Sequence, residues 1–234
     1  MHLFYTPDIQ GETLALPEEE SRHCVRVLRL DKGDIIHLVD GRGNWYRCEI
    51  TVPDPRRCEA RLLEKQEGHG RRDFHLHVAI APTKNIERTE WFLEKATEIG
   101  VDEITPLLCE RSERRTIKAD RLEKVVISAM KQSLKAYLPK LNPLTDFRQF
   151  AALPADGPRY IAHCEEGERK LLKEAYRRGE NATILIGPEG DFSPSEIAWA
   201  TRHGFIPVSL GDSRLRTETA ALVAVHMMHM KNSY

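Results

Sequence analysis

The stretch Ala182-Thr183-Ile184-Leu185-Ile186-Gly187-Pro188-Glu189-Gly190 is followed closely by Ser193-Pro194-Ser195-Glu196. Its first half is apolar and β-branched and reads as a strand over 182–186. A glycine-bounded loop breaks the strand. Ser193 and Glu196 then make a capping-box start, with Pro194 just inside a helix predicted over 195–203. The same strand-then-helix unit recurs on both sides. Downstream, 206–210 is strand-like and 217–230 helical. Upstream come strand 74–81, helix 87–99 closed by Gly100, strand 101–109, a long helix over 118–137, strand 160–164 and a helix over 168–178 stopped by Gly179. The long helix carries Leu122, Val125, Val126, Ala129, Met130, Leu134 and Tyr137 on one stripe. Repeated β then α implies an α/β fold, a mostly parallel sheet with helices on both faces.

Residues 1–70 read differently, as short strands between turns. The segments 3–6, 35–39, 45–52 and 58–63 are strand-like, and Asp40-Gly41-Arg42-Gly43 is a turn. One short helix is expected after Pro17, with Glu18, Glu19 and Glu20 at its positive end, running to residue 28. This is the pattern of a small β-barrel. The polar, glycine-containing segment 66–73 is the best linker, so the expected domains are 1–70 and 74–234.

With 234 residues and 30% charged residues, the chain is an ordinary globular one. A net charge of −1 gives no overall basic field, although local basic patches can still meet phosphates. No apolar run approaches the ~20 residues of a membrane span, and the N-terminus lacks the regions of a secretory signal. Five scattered cysteines (Cys24, Cys48, Cys58, Cys109, Cys164) read as reduced, mostly buried thiols of a cytoplasmic protein. Neither His226 with His229 nor His75 with His77 forms a zinc set, so no metal is expected.

In open α/β sheets ligands bind beyond the carboxyl ends of strands. Two loops lie there, 187–190 and 211–216. The first is neither a Walker A loop nor a dinucleotide fingerprint, and by itself a Pro-Glu-Gly type II turn explains it. The second leads into a helix for which Thr217 is the N-cap candidate, with Glu218 in the first turn. Arg214, Arg216 and Glu218 crowd a stretch between a strand and an apolar helix, where charges are costly unless paired or used.

With these residues in view, the chain resembles the SPOUT (α/β-knot) methyltransferases, and among them the ribosomal RNA small subunit methyltransferase E family. Ile186-Gly187-Pro188-Glu189-Gly190 and the segment 210–220, with Leu210, Gly211, Leu215, Arg216, Glu218, Thr219 and Ala220, match that family's two donor-binding motifs. Lys84, the segment 95–101, Glu110-Arg111-Ser112, Lys131-Gln132-Ser133 and His23-Cys24-Val25-Arg26-Val27-Leu28-Arg29 also match. The resemblance implies a C-terminal trefoil-knotted, parallel-sheet methyltransferase domain preceded by a PUA-like, RNA-binding β-barrel. It implies a homodimer that uses S-adenosylmethionine to methylate N3 of a specific uridine in 16S rRNA, within the small ribosomal subunit. His163, Ile186, Gly187, Pro188, Glu189, Gly190, Leu210, Gly211, Leu215, Arg216, Thr217 and Thr219 would then hold the donor.

Uracil N3 carries a proton that must leave, so the reaction calls for a base or for a cation that stabilises the anion. Glu218 and Glu189 are the candidate bases, with Arg88, Arg111 or Arg216 beside the anion; Glu218, Arg88 and Arg216 lead. Arg22, Arg26 and Arg29 recur along one side of the short helix. Lys84, Arg111, Arg114 and Lys131 belong to a second basic set that continues through Arg115, Lys118, Arg121, Lys124 and Lys135. Each alone reads as a solvated charge, and together they read as a phosphate track. Two positions depart from the family's pattern. Asp191 stands where the family has glycine, and Ser213-Arg214-Leu215-Arg216 replaces a more apolar run. A carboxylate at 191 either crowds the donor's methionyl end or faces solvent. Asp191 thus keeps open a non-catalytic RNA-binding assembly factor, and a SPOUT enzyme for another RNA position or a ribose hydroxyl is a close rival of the same fold.

Overall fold

A computed structural model describes residues 1–233. The chain divides into two compact units, Met1–Arg71 with Ile127–Leu138, and Arg72–Val126 with the chain from Pro139 onward. A segment of the first unit therefore interrupts the second in sequence.

The first unit holds strands β1 (Leu3–Tyr5), β2 (Thr13–Ala15), β3 (Ile35–Val39), β4 (Trp45–Val52) and β5 (Glu59–Gln66) in one curled sheet of order β1-β3-β4-β5-β2. Only β1 and β3 pair in parallel. Alternation along β4 buries Tyr46, Cys48 and Ile50 in a core with Phe4, Ile36, Leu38, Cys24 and Cys58. The predicted helix after Pro17 is shorter and changes character. Helix α1 (Glu18–Arg22) passes into a π-helical turn over His23–Val27, where Leu28 N–H donates to His23 O at 3.0 Å. Arg29 lies beyond it with φ 58°. The three arginines are exposed but do not form one α-helical stripe, because the wider turn and the left-handed residue rotate them apart.

The second unit is built on β6 (Leu76–Ile80), β7 (Glu103–Leu108), β8 (Lys140–Leu141), β9 (Thr145–Asp146), β10 (Arg159–Ala162), β11 (Lys170–Leu171), β12 (Ala182–Ile186) and β13 (Phe205–Ser209). Every pair among these strands is parallel, in the order β11-β13-β10-β12-β6-β7-β8, with β9 beside β7. Helices α2 (Ile86–Ile99), α3 (Ala119–Gln132), α4 (Phe147–Ala152), α5 (Leu172–Ala175), α6 (Pro194–Arg202) and α7 (Thr217–Asn232) complete the chain. Ala79, Ala81, Ile161 and Leu185 pack on one face with Phe147, Phe150 and Ala200 of α4 and α6. Helices α2 and α7 pack together, and α7 packs against β6 and β12. All of β12 is buried, as a parallel strand covered on both faces must be.

Two predicted helices need correction. The helix predicted over 118–137 ends at Gln132, because Leu134 adopts φ 56° and closes a Schellman motif. Lys135 N–H donates to Met130 O and Leu134 N–H to Lys131 O. A leucine there, 45% exposed, carries none of the usual glycine signal. The helix predicted over 168–178 is instead β11 followed by the single turn α5. No sequence pattern announces the short elements β2, β8, β9 and α4.

Within the first unit, Gly43 at φ +94° lies under Tyr137, and a Cβ there would sit 2.2 Å from the ring. Gly43→Ala is expected to lower stability by about 2–4 kcal/mol through overpacking plus backbone strain. Tyr137→Ala in the same chain should recover the packing part, as read by chemical denaturation.

Candidate active site

Three loops leave the carboxyl ends of the adjacent strands β13, β10 and β12. After β12, Ile186, Gly187 and Pro188 are buried while Glu189 and Gly190 are exposed. Asp191 N–H donates to Pro188 O at 2.9 Å, so the turn spans Pro188 to Asp191. It is not the type II turn that the tetrapeptide alone suggests. Gly190 keeps a negative φ, and Asp191 is the left-handed residue at φ 61°. A Cβ on Gly187 would meet Phe192 at 3.1 Å, so this glycine allows a close crossing of the chain.

Side chains from elsewhere in the unit hold this loop. Arg111 donates to Gly190 O at 2.9 Å and to Phe192 O at 3.3 Å. Glu189 accepts from Lys84 N–H at 2.8 Å. The capping box on α6 forms as predicted: Ser193 accepts from Glu196 N–H, and Glu196 accepts from Ser193 N–H at 2.8 Å. Glu196 also accepts from Glu110 N–H at 2.8 Å, and Glu110 accepts from Ser193 Oγ at 2.6 Å. Hydrogen bonds from Ser193 and Ser195 hold the Glu110 carboxyl below the usual carboxylate range. In the sequence Glu110 stands out only as part of the Glu110-Arg111-Ser112 motif. Its bond spans 83 residues, and no local pattern announces it.

After β13, Gly211 turns at φ +126° and the chain enters α7 with Arg216 at the N-cap. Thr217, the predicted cap, lies one residue inside the helix and is buried, and no side chain caps this end. Glu218 follows at 7% exposure. One carboxylate oxygen lies 3.9 Å from Arg88 Nε, and the other, fully buried, has no partner among the described residues. Arg88 stands in the first turn of α2, whose start is fixed by Asn85 accepting from Glu87 N–H at 3.1 Å. Leu210, Leu215 and Thr219 are half-buried along the same segment, and Arg216 is exposed.

The loop after β10 brings in His163. Its ring is buried, Nδ1 has no partner among the described residues, and its carbonyl accepts from Arg169. Burial first, and then the charge of Arg169, push its pKa down.

A buried imidazole nitrogen and a buried carboxylate oxygen without partners are costly unless a bound group completes them. With Gly187 opening the backbone between them in sequence, these residues fit an amphipathic, cationic S-adenosyl donor. Other predicted residues are committed differently. Arg114 donates to Thr83 O at 2.9 Å and Lys84 O at 2.6 Å, and Lys84 Nζ pairs with Glu113 at 2.7 Å. Lys131 pairs with Glu20 within the first unit, as does Arg22 with Glu18 at 2.8 Å. A separate cavity of about 460 Å³ opens at the amino ends of the strands, lined in part by His77, Glu103, Lys140 and Arg159. Burial pushes His77 down to about 4, and its Nε2 lies 2.8 Å from Thr105 Oγ1.

The pattern of the RNA methyltransferase domain matches residues 71–229, and that of the RNA methyltransferase PUA domain matches residues 16–63. A ribosomal RNA small subunit methyltransferase E from Synechocystis sp. is 33% identical over 220 residues, covering 91% of this chain and 71% of that protein. The chain belongs to this family of RNA methyltransferases. A crystal structure described as a probable rRNA-methyltransferase from Porphyromonas gingivalis is 45% identical, with a TM-score of 0.93 and coverage of 100% of this chain and 99% of that one. Another, a ribosomal RNA small subunit methyltransferase E from Neisseria gonorrhoeae bound to S-adenosyl methionine, is 29% identical with a TM-score of 0.89, covering 99% and 98%. The family expected from the two glycine-containing loops is thus the family found.

Glu196, only 3% exposed, anchors the helix that follows the β12 loop. Glu196→Ala leaves two backbone N–H groups without their partner and is expected to cost about 2–4 kcal/mol. Glu196→Gln, which keeps one acceptor, should lose about half of that. Thermal melts of the two variants check the order.

Proposed function

We propose that this chain transfers a methyl group from S-adenosylmethionine to N3 of a uridine in 16S rRNA, acting on the small ribosomal subunit. The observation that carries the reading is Glu218, a buried carboxylate with one unpartnered oxygen and Arg88 beside the other. S-adenosylmethionine supplies an electrophilic methyl on a sulfonium. Glu218 takes the N3 proton as the ring nitrogen attacks, and Arg88 with Arg216 stabilises the negative charge spreading onto the uracil oxygens. A ribose hydroxyl would also have to give up a proton, so the product, not the base, tells the two acceptors apart. Backbone groups of Ile186, Gly187, Pro188, Glu189, Gly190, Leu210, Gly211, Leu215, Thr217 and Thr219, with the His163 ring, orient the donor in line. The names and the bound ligand of the relatives support the same reading.

The wider reading is of one piece. Residues 1–70, joined by Ile127–Leu138, serve as the RNA-binding barrel and the rest of 74–234 as the catalytic domain. Phosphates are met by Arg22, Arg26 and Arg29, and by Lys84, Arg111, Arg114 and Lys131, several of which also brace the protein. The strand order, with β12 inserted between β10 and β6 and β13 outside them, supports a trefoil-knotted path. Helix α7 is apolar on nearly every side, with Leu222, Val223 and Met227 half-buried and Met230 exposed, which supports a homodimer that covers it. No described helix is long and apolar enough to cross a membrane. A cytoplasmic place of action follows from the proposed ribosomal substrate alone.

The test is a nucleoside analysis of rRNA after incubation with the protein and S-adenosylmethionine. Methylation at uridine N3 is expected, and methylation confined to a 2′-oxygen would sink the N3 assignment. Glu218→Gln should lower kcat by about 10²-fold or more, a larger effect than any change in donor affinity.

A further inference from the structure

Asp191 has no part in the chemistry proposed above, yet its backbone and its carboxylate are both unusual. A non-glycine residue at φ 61° costs about 1 kcal/mol or more and persists where surrounding contacts hold it. Here the contacts come from its own side chain. Asp191 Oδ1 accepts from Phe192 N–H at 2.7 Å, and Oδ2 accepts from Cys164 N–H, also at 2.7 Å. The first bond is local. The second reaches back 27 residues, into the loop after β10.

We infer that Asp191 is a positioning residue, a clasp that ties the β10 loop to the β12 loop and thereby sets the spacing of the donor site. The inference rests on the donor-site reading above. Strands β10 and β12 stay in register through Ala162 with Ile186, the last pair of their ladder. Beyond that pair each chain must find other partners. On the β10 side, His163 stands between the end of the ladder and Cys164, so the bond to Cys164 N–H fixes the main chain just past the buried ring. On the β12 side, the bond to Phe192 N–H holds the residue that closes over Gly187 at 3.1 Å from where a Cβ would be. One carboxylate thus anchors two walls at once, through charge-assisted bonds that are stronger than neutral ones. Both of its oxygens are turned to backbone N–H groups.

Two substitutions separate strain from clasp. Asp191→Gly accepts φ 61° freely but removes both bonds. Asp191→Asn keeps one oxygen and sets an NH₂ against the other N–H donor, breaking one leg of the clasp. In Asp191→Gly the Tm should stay level or rise, while amide exchange at Cys164, followed by NMR, should speed up by about tenfold or more. The Kd and KM for S-adenosylmethionine should rise by about tenfold with kcat changed less than threefold, and Asp191→Asn should shift them in the same direction. Unchanged exchange at Cys164 overturns the clasp itself. Faster exchange with donor affinity within twofold of wild type overturns its role in the site. If the wild-type protein binds no S-adenosylmethionine by calorimetry, the donor-site reading fails and the positioning role falls with it. The Cys164 exchange rate tells that failure apart from the absence of the clasp.

Discussion

The buried strand Ala182–Ile186 constrains much of what surrounds it. Its five residues are all shielded from water, so it can be satisfied only inside a sheet with a helical layer on each side. The two neighbours that complete its hydrogen bonding, β6 and β10, come from segments that begin more than a hundred and more than twenty residues earlier in the chain. Bringing them to one strand also brings together the loops that follow them. Glycine at 187 then lets the β12 loop pass close to Phe192, and glycine at 211 takes up φ +126°. The nearness of these loops is a consequence of strand order before it is a consequence of any single side chain.

Charge is spent sparingly around it. Arg111 and Arg114, which a reading of the sequence assigns to phosphate, reach across the unit to carbonyl oxygens of the loops at 190–192 and 83–84. An arginine that caps carbonyls with part of its fork still presents the rest of it outward, so bracing and RNA contact are compatible in one residue. Glu218 is the contrasting case. It is a buried carboxylate whose second oxygen meets no donor among the described residues.

Much of this was legible in the residues alone. The strands at 35–39, 45–52 and 182–186 appear with the bounds that their apolar runs suggest, and the capping box at Ser193 forms as its letters indicate. What the letters do not announce depends either on local backbone geometry or on a partner far away in sequence. Leu134 takes a left-handed conformation without being glycine, so α3 stops where its stripe of apolar residues says it should continue. The segment Lys170–Leu171 is too short to show a strand pattern and is ordered by pairing with β13. Arg216, not Thr217, occupies the N-cap of α7, because the helix end is set by how Thr217 and Glu218 are buried. At Asp191 the letter alone could signal only a departure, since the meaning of its carboxylate lies in the amide of Cys164.

The segment Ile127–Leu138 gives the first unit an unusual relation to its own synthesis. Val39 is completely buried in a small cluster with Met130 and Ala136, and Gly43 donates to Ala136 O at 2.9 Å. A ribosome delivers the chain from its N-terminus, and the barrel strands have all emerged by residue 66. The residues that close this part of their core emerge only after α2 and β7 of the other unit. The barrel must therefore wait, with an apolar edge open, while part of the second unit is already outside the ribosome. The two units are thus coupled in time as the nascent chain appears, and a fragment cut at the glycine-rich segment would carry the barrel's strands without the piece that seals them.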